Sequence, residues 1–206
     1  MKKSKTNFIV FVAILGALSG ILMFIKFPIP IAPSFYKLDF SDAASLIGGF
    51  AFGPLASILI NLIKNIINLL IEGTTTAFIG ELSNFIMSCA LTVPAAIYYK
   101  KEHTKIGALK AMLIGIVSLV IVASVINYYV VIPAYVNLMN FPLEAIIGMG
   151  NKIFPAVNSL LTLILFCTAP FNLIKGILVC FITFILYKRV SSLINGSKWL
   201  KFKINI

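Results

Sequence analysis

Acidic residues are scarce in this chain: six Asp and Glu stand against seventeen Lys and Arg in 206 residues, a formal charge of +11. Histidine occurs once, at His103, and arginine once, at Arg189. A single His in a lysine-rich stretch gives no His-activated nucleophile and no imidazole ligand set for zinc. The three cysteines, Cys89, Cys167 and Cys180, stand far apart in apolar runs. That excludes the close spacings of metal and dithiol sites and leaves them as packing residues. The GxSxG, HExxH and GxxxxGK(S/T) patterns are missing too, so an enzyme here would have to work through carboxylates or lysines alone. There is no low-complexity tract, no fixed-period repeat and no internal symmetry of the kind many secondary transporters show.

Long polar stretches are also lacking. The chain is 60% hydrophobic with a mean hydropathy of +1.05, the composition of an integral membrane protein. Each span needs about 20 apolar residues, so this length holds roughly five to seven spans and leaves no room for a soluble ATPase domain. The positive charge does not point to nucleic acid, because the basic residues sit beside apolar runs rather than along a soluble face. Lys2, Lys3 and Lys5 precede the first run, Lys100, Lys101, Lys105 and Lys110 flank a central loop, and Lys188, Arg189, Lys198, Lys201 and Lys203 follow the last. The positive-inside rule places these three regions, and hence both termini, in the cytoplasm.

The apolar runs predict an all-α membrane protein of six transmembrane helices in a single domain, with spans near 7–25, 43–52, 55–72, 78–99, 106–131 and 158–187. The first run is too long for a signal-peptide core and reads as a retained helix. Pro28, Pro30 and Pro33 forbid regular helix after it and make an outside loop. Ser41 and Asp42 are expected to cap a short second helix, with Asp39 and Asp42 explained by capping and dipole effects. Pro133 is expected to end the fifth run, followed by a second outside loop to about Pro155.

Polar residues at membrane depth carry the functional signal, since an ionisable group there normally faces a partner, the protein interior or a water-filled cavity. Asn61, Lys64, Asn65, Asn68 and Glu72 share one face of the third helix. Glu72 and Glu81, flanking the Thr74-Thr75-Thr76 turn, are expected to neutralise Lys64. Asn172 and Lys175 form a notch just after Pro170, and Asn127 stands beside Tyr128 and Tyr129. Amides offer a donor and an acceptor, ammonium offers donors, and aromatic rings offer flat apolar surface. Together they suit a neutral, partly aromatic solute rich in hydrogen-bonding groups. On the first helix, Ala13 and Ala17, overlapped by Gly16 and Gly20, form a small-residue strip for close helix approach, inside the bundle or against a partner.

Four segments resemble a known family. KLDFSDAASLIGGFAFGP (37–54), IKNIINLLIEGTTTAFIGELSNF (63–85), NYYVVIPAY (127–135) and APFNLIKG (169–176) are similar, in order and approximate spacing, to the riboflavin-specific substrate-binding (S) components of energy-coupling factor (ECF) transporters. The chain departs from that pattern at Ala43-Ala44, where a proline is expected. The resemblance covers nearly the whole chain. It implies a six-helix vitamin-capture protein of the bacterial cell membrane, neither an enzyme nor a holder of a cofactor. Such a protein works with a transmembrane coupling (T) component and two cytosolic ATPases, topples in the bilayer to release its vitamin, and binds no nucleic acid.

The same resemblance implies roles for individual residues. Asn127, Asn172 and Lys175 match polar positions used on the flavin, and Tyr36, Lys37, Leu38 and Asp39 match the lid over the ligand. Ala13 and Ala17 match the AxxxA coupling motif. A buried phosphate would want arginine, and Arg189 lies at the cytoplasmic end, so the unphosphorylated vitamin is expected. Two other readings stay open: an S component for another vitamin, or a stand-alone small-solute facilitator.

Overall fold

The computed structural model describes residues 2–33 and 35–196. Lys198, Lys201 and Lys203 lie outside the described residues, as do the side chains of Lys2, Lys3, Lys188 and Arg189. The helices are α1 (Lys2–Phe24), α2 (Ser41–Phe52), α3 (Pro54–Glu72), α4 (Ile79–Tyr99), α5 (Lys105–Ile126), α6 (Ile132–Met139), α7 (Leu143–Asn151), α8 (Leu160–Leu163) and α9 (Ala169–Gly196). A two-residue ribbon, β1 (Phe27–Pro28) against β2 (Lys37–Leu38), lies in the loop after α1.

Five segments are long and apolar enough to cross a bilayer: Lys5–Phe24, Pro54–Glu72, Ile79–Tyr99, Lys105–Met139 and Leu160–Leu186. The expected second span is the exception. With 12 residues, α2 is only about 18 Å long at 1.5 Å per residue. It nevertheless reaches from inside the bundle to one of its ends. Near its start the Ser41 carbonyl accepts a hydrogen bond from Ser19 Oγ, toward the end of α1. At its finish Phe52 meets Phe8 and Phe11, near the start of α1, with ring centroids 6.1 and 5.2 Å away. Phe50 lies 4.4 Å from Tyr99, where α4 ends. A short helix suffices because the preceding loop descends into the protein, where Leu38, Asp39 and Ser41 are buried. Gly53, at φ +88°, then turns the chain into Pro54, which opens α3 with its ring at a position where no amide is needed.

The fifth helix does not stop at Pro133. After Ile126 the chain passes through a π-helical turn, Asn127–Val131, and continues as α6 to Met139. A second π turn, Ile164–Thr168, joins α8 to α9. Each ends two residues before a proline, Pro133 or Pro170. In a regular helix the proline ring would clash with the carbonyl four residues back, Tyr129 or Phe166 respectively, and widening the preceding turn relieves that clash. The last helix thus starts at Leu160 rather than 158 and is described as helix to Gly196.

The main core joins α2, α4, α5 and α9 through Leu46, Phe50, Leu91, Tyr99, Met112, Leu119 and Val179. A second cluster, Val12, Ala56 and Ile60, joins α1 to α3. Outward faces carry exposed Ile, Leu, Val and Phe along α1, α5 and α9, as expected for surfaces in contact with lipid tails.

Candidate ligand-binding site

Polar residues from several helices gather under the loop after α1. In its ribbon, successive side chains point to opposite sides: Lys37 is exposed, while Leu38 is fully buried and packs near Ala32 and Phe171. Tyr36 reaches inward. Its hydroxyl donates to Asn127 Oδ1 at 3.2 Å and shares a 2.8 Å hydrogen bond with Thr168 Oγ1, and its ring stacks on Phe171 at 5.1 Å and 30°. Burial pushes the Tyr36 phenol well above its ordinary value, with the Thr168 hydrogen bond opposing that rise in part.

The two π turns position the partners of that hydroxyl. Asn127 opens the first and Thr168 closes the second, and both side chains are buried. Asn127 Nδ2 donates back to the Ala123 carbonyl at 2.8 Å, and Asn172 Nδ2 to the Thr168 carbonyl at 2.9 Å. Both amides are thereby held by their own helices, with the carbonyl oxygen of Asn127 turned to the loop.

One turn along α9 lies a buried cluster of four charges. Lys175 Nζ is 3.2 Å from Asp39 Oδ2 and 3.3 Å from Asp42 Oδ2. The other Asp42 oxygen pairs with Lys64, which is completely buried and also donates to Ser41 Oγ at 2.9 Å and Ser88 Oγ at 2.8 Å. Asp39 Oδ1 accepts from the Ser41 amide at 2.9 Å and from the Ser41 hydroxyl. Burial alone would raise the Asp39 carboxyl, but the ammonium groups of Lys175 and Lys64 outweigh it and hold the group below the usual carboxylate range. Two carboxylates and two ammonium groups sum to zero, which satisfies the demand that buried charges be paired.

Several expectations change here. Asp42 is not a cap: its carboxylate is occupied by Lys64 and Lys175, and the first amide of α2, that of Ser41, is taken by Asp39 instead. Lys64 is neutralised by Asp42 rather than by Glu72 or Glu81. Glu72 instead pairs with Lys26 at 2.5 Å and accepts from Asn68 at 2.9 Å, and Glu81 accepts from Thr74 and Thr76. Of the α3 amides, Asn61 bridges to α4 through Thr92 at 3.0 Å, while Asn65 bonds back to its own helix.

Of the residues singled out in the sequence, Tyr36 with Asn127 and Asp39 with Lys175 are in direct contact. Asn172 joins them through Thr168, Leu38 lines the apolar side, and Lys37 stays outside. On α1, Gly16 and Gly20 face Ile63 and Ile67 of α3, whereas Ala13 and Ala17 are exposed. Thr168, Phe171, Asp42 and Ser41 were not singled out as parts of the site. For Thr168 and Phe171 the available signal was Pro170, which disturbs the helix on both sides of it. Among the described residues, no three His, Cys, Asp or Glu side chains gather as a metal site would require.

Comparison with known proteins bears on this geometry. Residues 7–187 match the family model described as "ECF transporter, substrate-specific component". The chain is 32% identical over 184 residues to the riboflavin transporter RibU of Staphylococcus aureus (strain TCH60), covering 89% of this chain and 90% of that protein. It is 30% identical over 176 residues to the riboflavin transporter FmnP of Bacillus subtilis (strain 168), covering 85% and 87%. A solved structure described as "Structure and mechanism of the S component of a bacterial ECF transporter" superposes with a TM-score of 0.72 at 30% identity, over 92% of this chain and 98% of that one.

Proposed function

The chain belongs to the family of substrate-specific components of ECF transporters, subunits of transporters rather than enzymes, and from that premise we propose that it captures riboflavin for uptake across the cell membrane. It is a multi-pass membrane protein, folded as one domain. Both termini lie in the cytoplasm and the loop after α1 faces outward, consistent with Lys5 and the Lys100–Lys105 stretch at one end of the bundle. ATP is spent by partner subunits, two ATPases joined through a transmembrane coupling protein that docks on the exposed Ala13 and Ala17 strip.

The observation that carries this reading is the Tyr36 arrangement, in which an aromatic ring lies on Phe171 and its polar tip ends between Asn127 and Thr168. The same combination serves a flavin: a flat apolar ring system with a pyrimidine edge that alternates acceptors with a donor. Asn127 and Asn172 supply amides for that edge. Lys175 spends two of its three protons on Asp39 and Asp42 and keeps one for a carbonyl or a ribityl hydroxyl. Tyr36, Lys37, Leu38 and Asp39 form the lid, Lys37 on its outer surface. The flanking carboxylates cancel the field of Lys175, so the site suits the neutral vitamin over its phosphorylated form.

Titration of the detergent-purified chain with riboflavin, read by loss of flavin fluorescence, tests the reading. Flavins should compete for the site, and thiamin, biotin and folate should not. Displacement by one of those three at comparable concentration would make the chain an S component for another vitamin. Accumulation of riboflavin in vesicles holding this chain alone would make it a self-sufficient facilitator instead.

A further inference from the structure

The α3 stripe is the part of the sequence that flavin contacts leave unused, and the structure ties one member of it to the site. Lys64 is fully buried and holds Asp42, and Asp42 holds Lys175. We propose that Asp42 and Lys64 are positioning residues for riboflavin: they form a pair in the bundle that fixes the Lys175 ammonium against the lid residue Asp39 and leaves its remaining proton aimed at the vitamin. This rests on the riboflavin reading and deepens it.

The geometry gives each member a distinct task. Lys175 sits on a long flexible stem, and without an inner anchor its ammonium would follow Asp39, which belongs to the loop. Asp42 supplies that anchor from the first turn of α2, 3.3 Å from Nζ. Asp42 needs an anchor of its own, because one oxygen paired with Lys175 would leave the carboxylate free to rotate. Lys64 provides it from α3, and is itself held by Ser41 and Ser88 from α2 and α4. Three helices thus converge to fix one nitrogen on a fourth. Charge balance supports the division: the pair Asp42 and Lys64 is neutral, and so is Asp39 and Lys175. Each pair can be exchanged for amides without leaving a lone buried ion.

That balance supplies the test. Asp42→Asn with Lys64→Gln converts the inner pair, Asp39→Asn with Lys175→Gln converts the outer pair, and all four together complete a double-mutant cycle. Riboflavin dissociation constants are read by fluorescence quenching, up to high micromolar ligand for the weakened variants. If the inner pair acts through Lys175, its conversion raises the constant by about tenfold or more in the wild-type background, the scale of one well-placed charged hydrogen bond. With the outer pair already converted, the same change costs no more than twofold. An equal loss in both backgrounds, or none in either, overturns the proposal, the first by showing a merely structural role. Lys64→Arg alone, which keeps the charge, should retain most of the affinity and guards against variants that fail to fold. Wild-type protein that takes no riboflavin would defeat the functional reading itself and this inference with it; wild-type binding with unlinked losses would defeat only the inference.

Discussion

Tyr36 and Asn127 stand 91 residues apart in the chain and meet tip to tip, the phenol donating to the amide oxygen at 3.2 Å. The loop after α1 is thereby held over the helix that carries Asn127, and the contact joins the proposed lid to the proposed site. Asn127→Ala removes both the lid contact and the proposed flavin contact. Riboflavin affinity should fall on the order of tenfold to a hundredfold, about 1 to 3 kcal/mol. Tyr36→Phe keeps the ring on Phe171 and should cost no more than about fivefold, near 1 kcal/mol. Fluorescence titration of the two variants checks the order.

Lys175→Met leaves Asp39 and Asp42 with only Lys64 between them. An uncompensated buried charge costs about 3 to 5 kcal/mol, so the variant should melt well below the wild type as well as lose riboflavin. Asp39→Asn with Lys175→Gln should recover most of the thermal stability in detergent and little of the binding. Recovery of both would remove Lys175 from the site.

Acid should open the lid before it unfolds the bundle. The Asp39 carboxyl is held below its ordinary value, so in the acid range the unfolded or open state binds more protons than the closed one, and stability rises with pH. The Asp39 contribution is complete above the free carboxylate range, near pH 4, and is lost as pH falls below it. Asp42, Lys64 and Lys175 are the charged groups that face Asp39. Riboflavin retention should be flat from pH 8 to about 5 and fall below about 4. A decline centred near neutrality would point to a different group.

Pro170→Ala removes the ring that the second π turn accommodates. A regular helix can then form, and absorbing the extra residue would rotate one side relative to the other by about 100°. The segment before the turn, Leu160–Leu163, would then be rotated relative to Thr168, Asn172 and Lys175, and the two halves of the helix could no longer both keep their present partners. The expected outcome is a protein as stable as the wild type, or more so, that binds riboflavin at least tenfold more weakly, measured by thermal unfolding and titration in parallel.

The two residue types of the α1 strip should separate in function. Gly16→Leu drives a side chain into Ile63 and should destabilise the isolated protein by about 1 to 3 kcal/mol. Ala13→Trp and Ala17→Trp point away from the bundle and should leave riboflavin binding intact while abolishing ATP-driven uptake with the partner subunits. Uptake assays in reconstituted vesicles distinguish the two.

Much of this arrangement was legible in the sequence. Apolar run length predicted the long helices, and the prolines after Ile25 predicted the loop that carries the lid. Intramembrane Asn127, Asn172 and Lys175 stood out because such groups are costly unless used, and the structure gathers them under that loop. The charge pairings were not legible. Lys64 has Glu72 two turns away on its own helix, but its partner is Asp42, brought by a loop that plunges into the bundle, and no periodicity reports that descent. The π turns escaped for a related reason: Pro133 reads as a helix end, whereas the chain widens one turn and continues to Met139. Thr168 and Phe171 were missed with them, since a small hydroxyl and one more aromatic in an apolar run carry no signal of their own.

The visible absorption spectrum of the chain, purified alone in mild detergent, tests the central claim most directly. The account predicts a yellow protein whose flavin bands pass into solution on denaturation. A colourless protein that also fails to quench added riboflavin would contradict it.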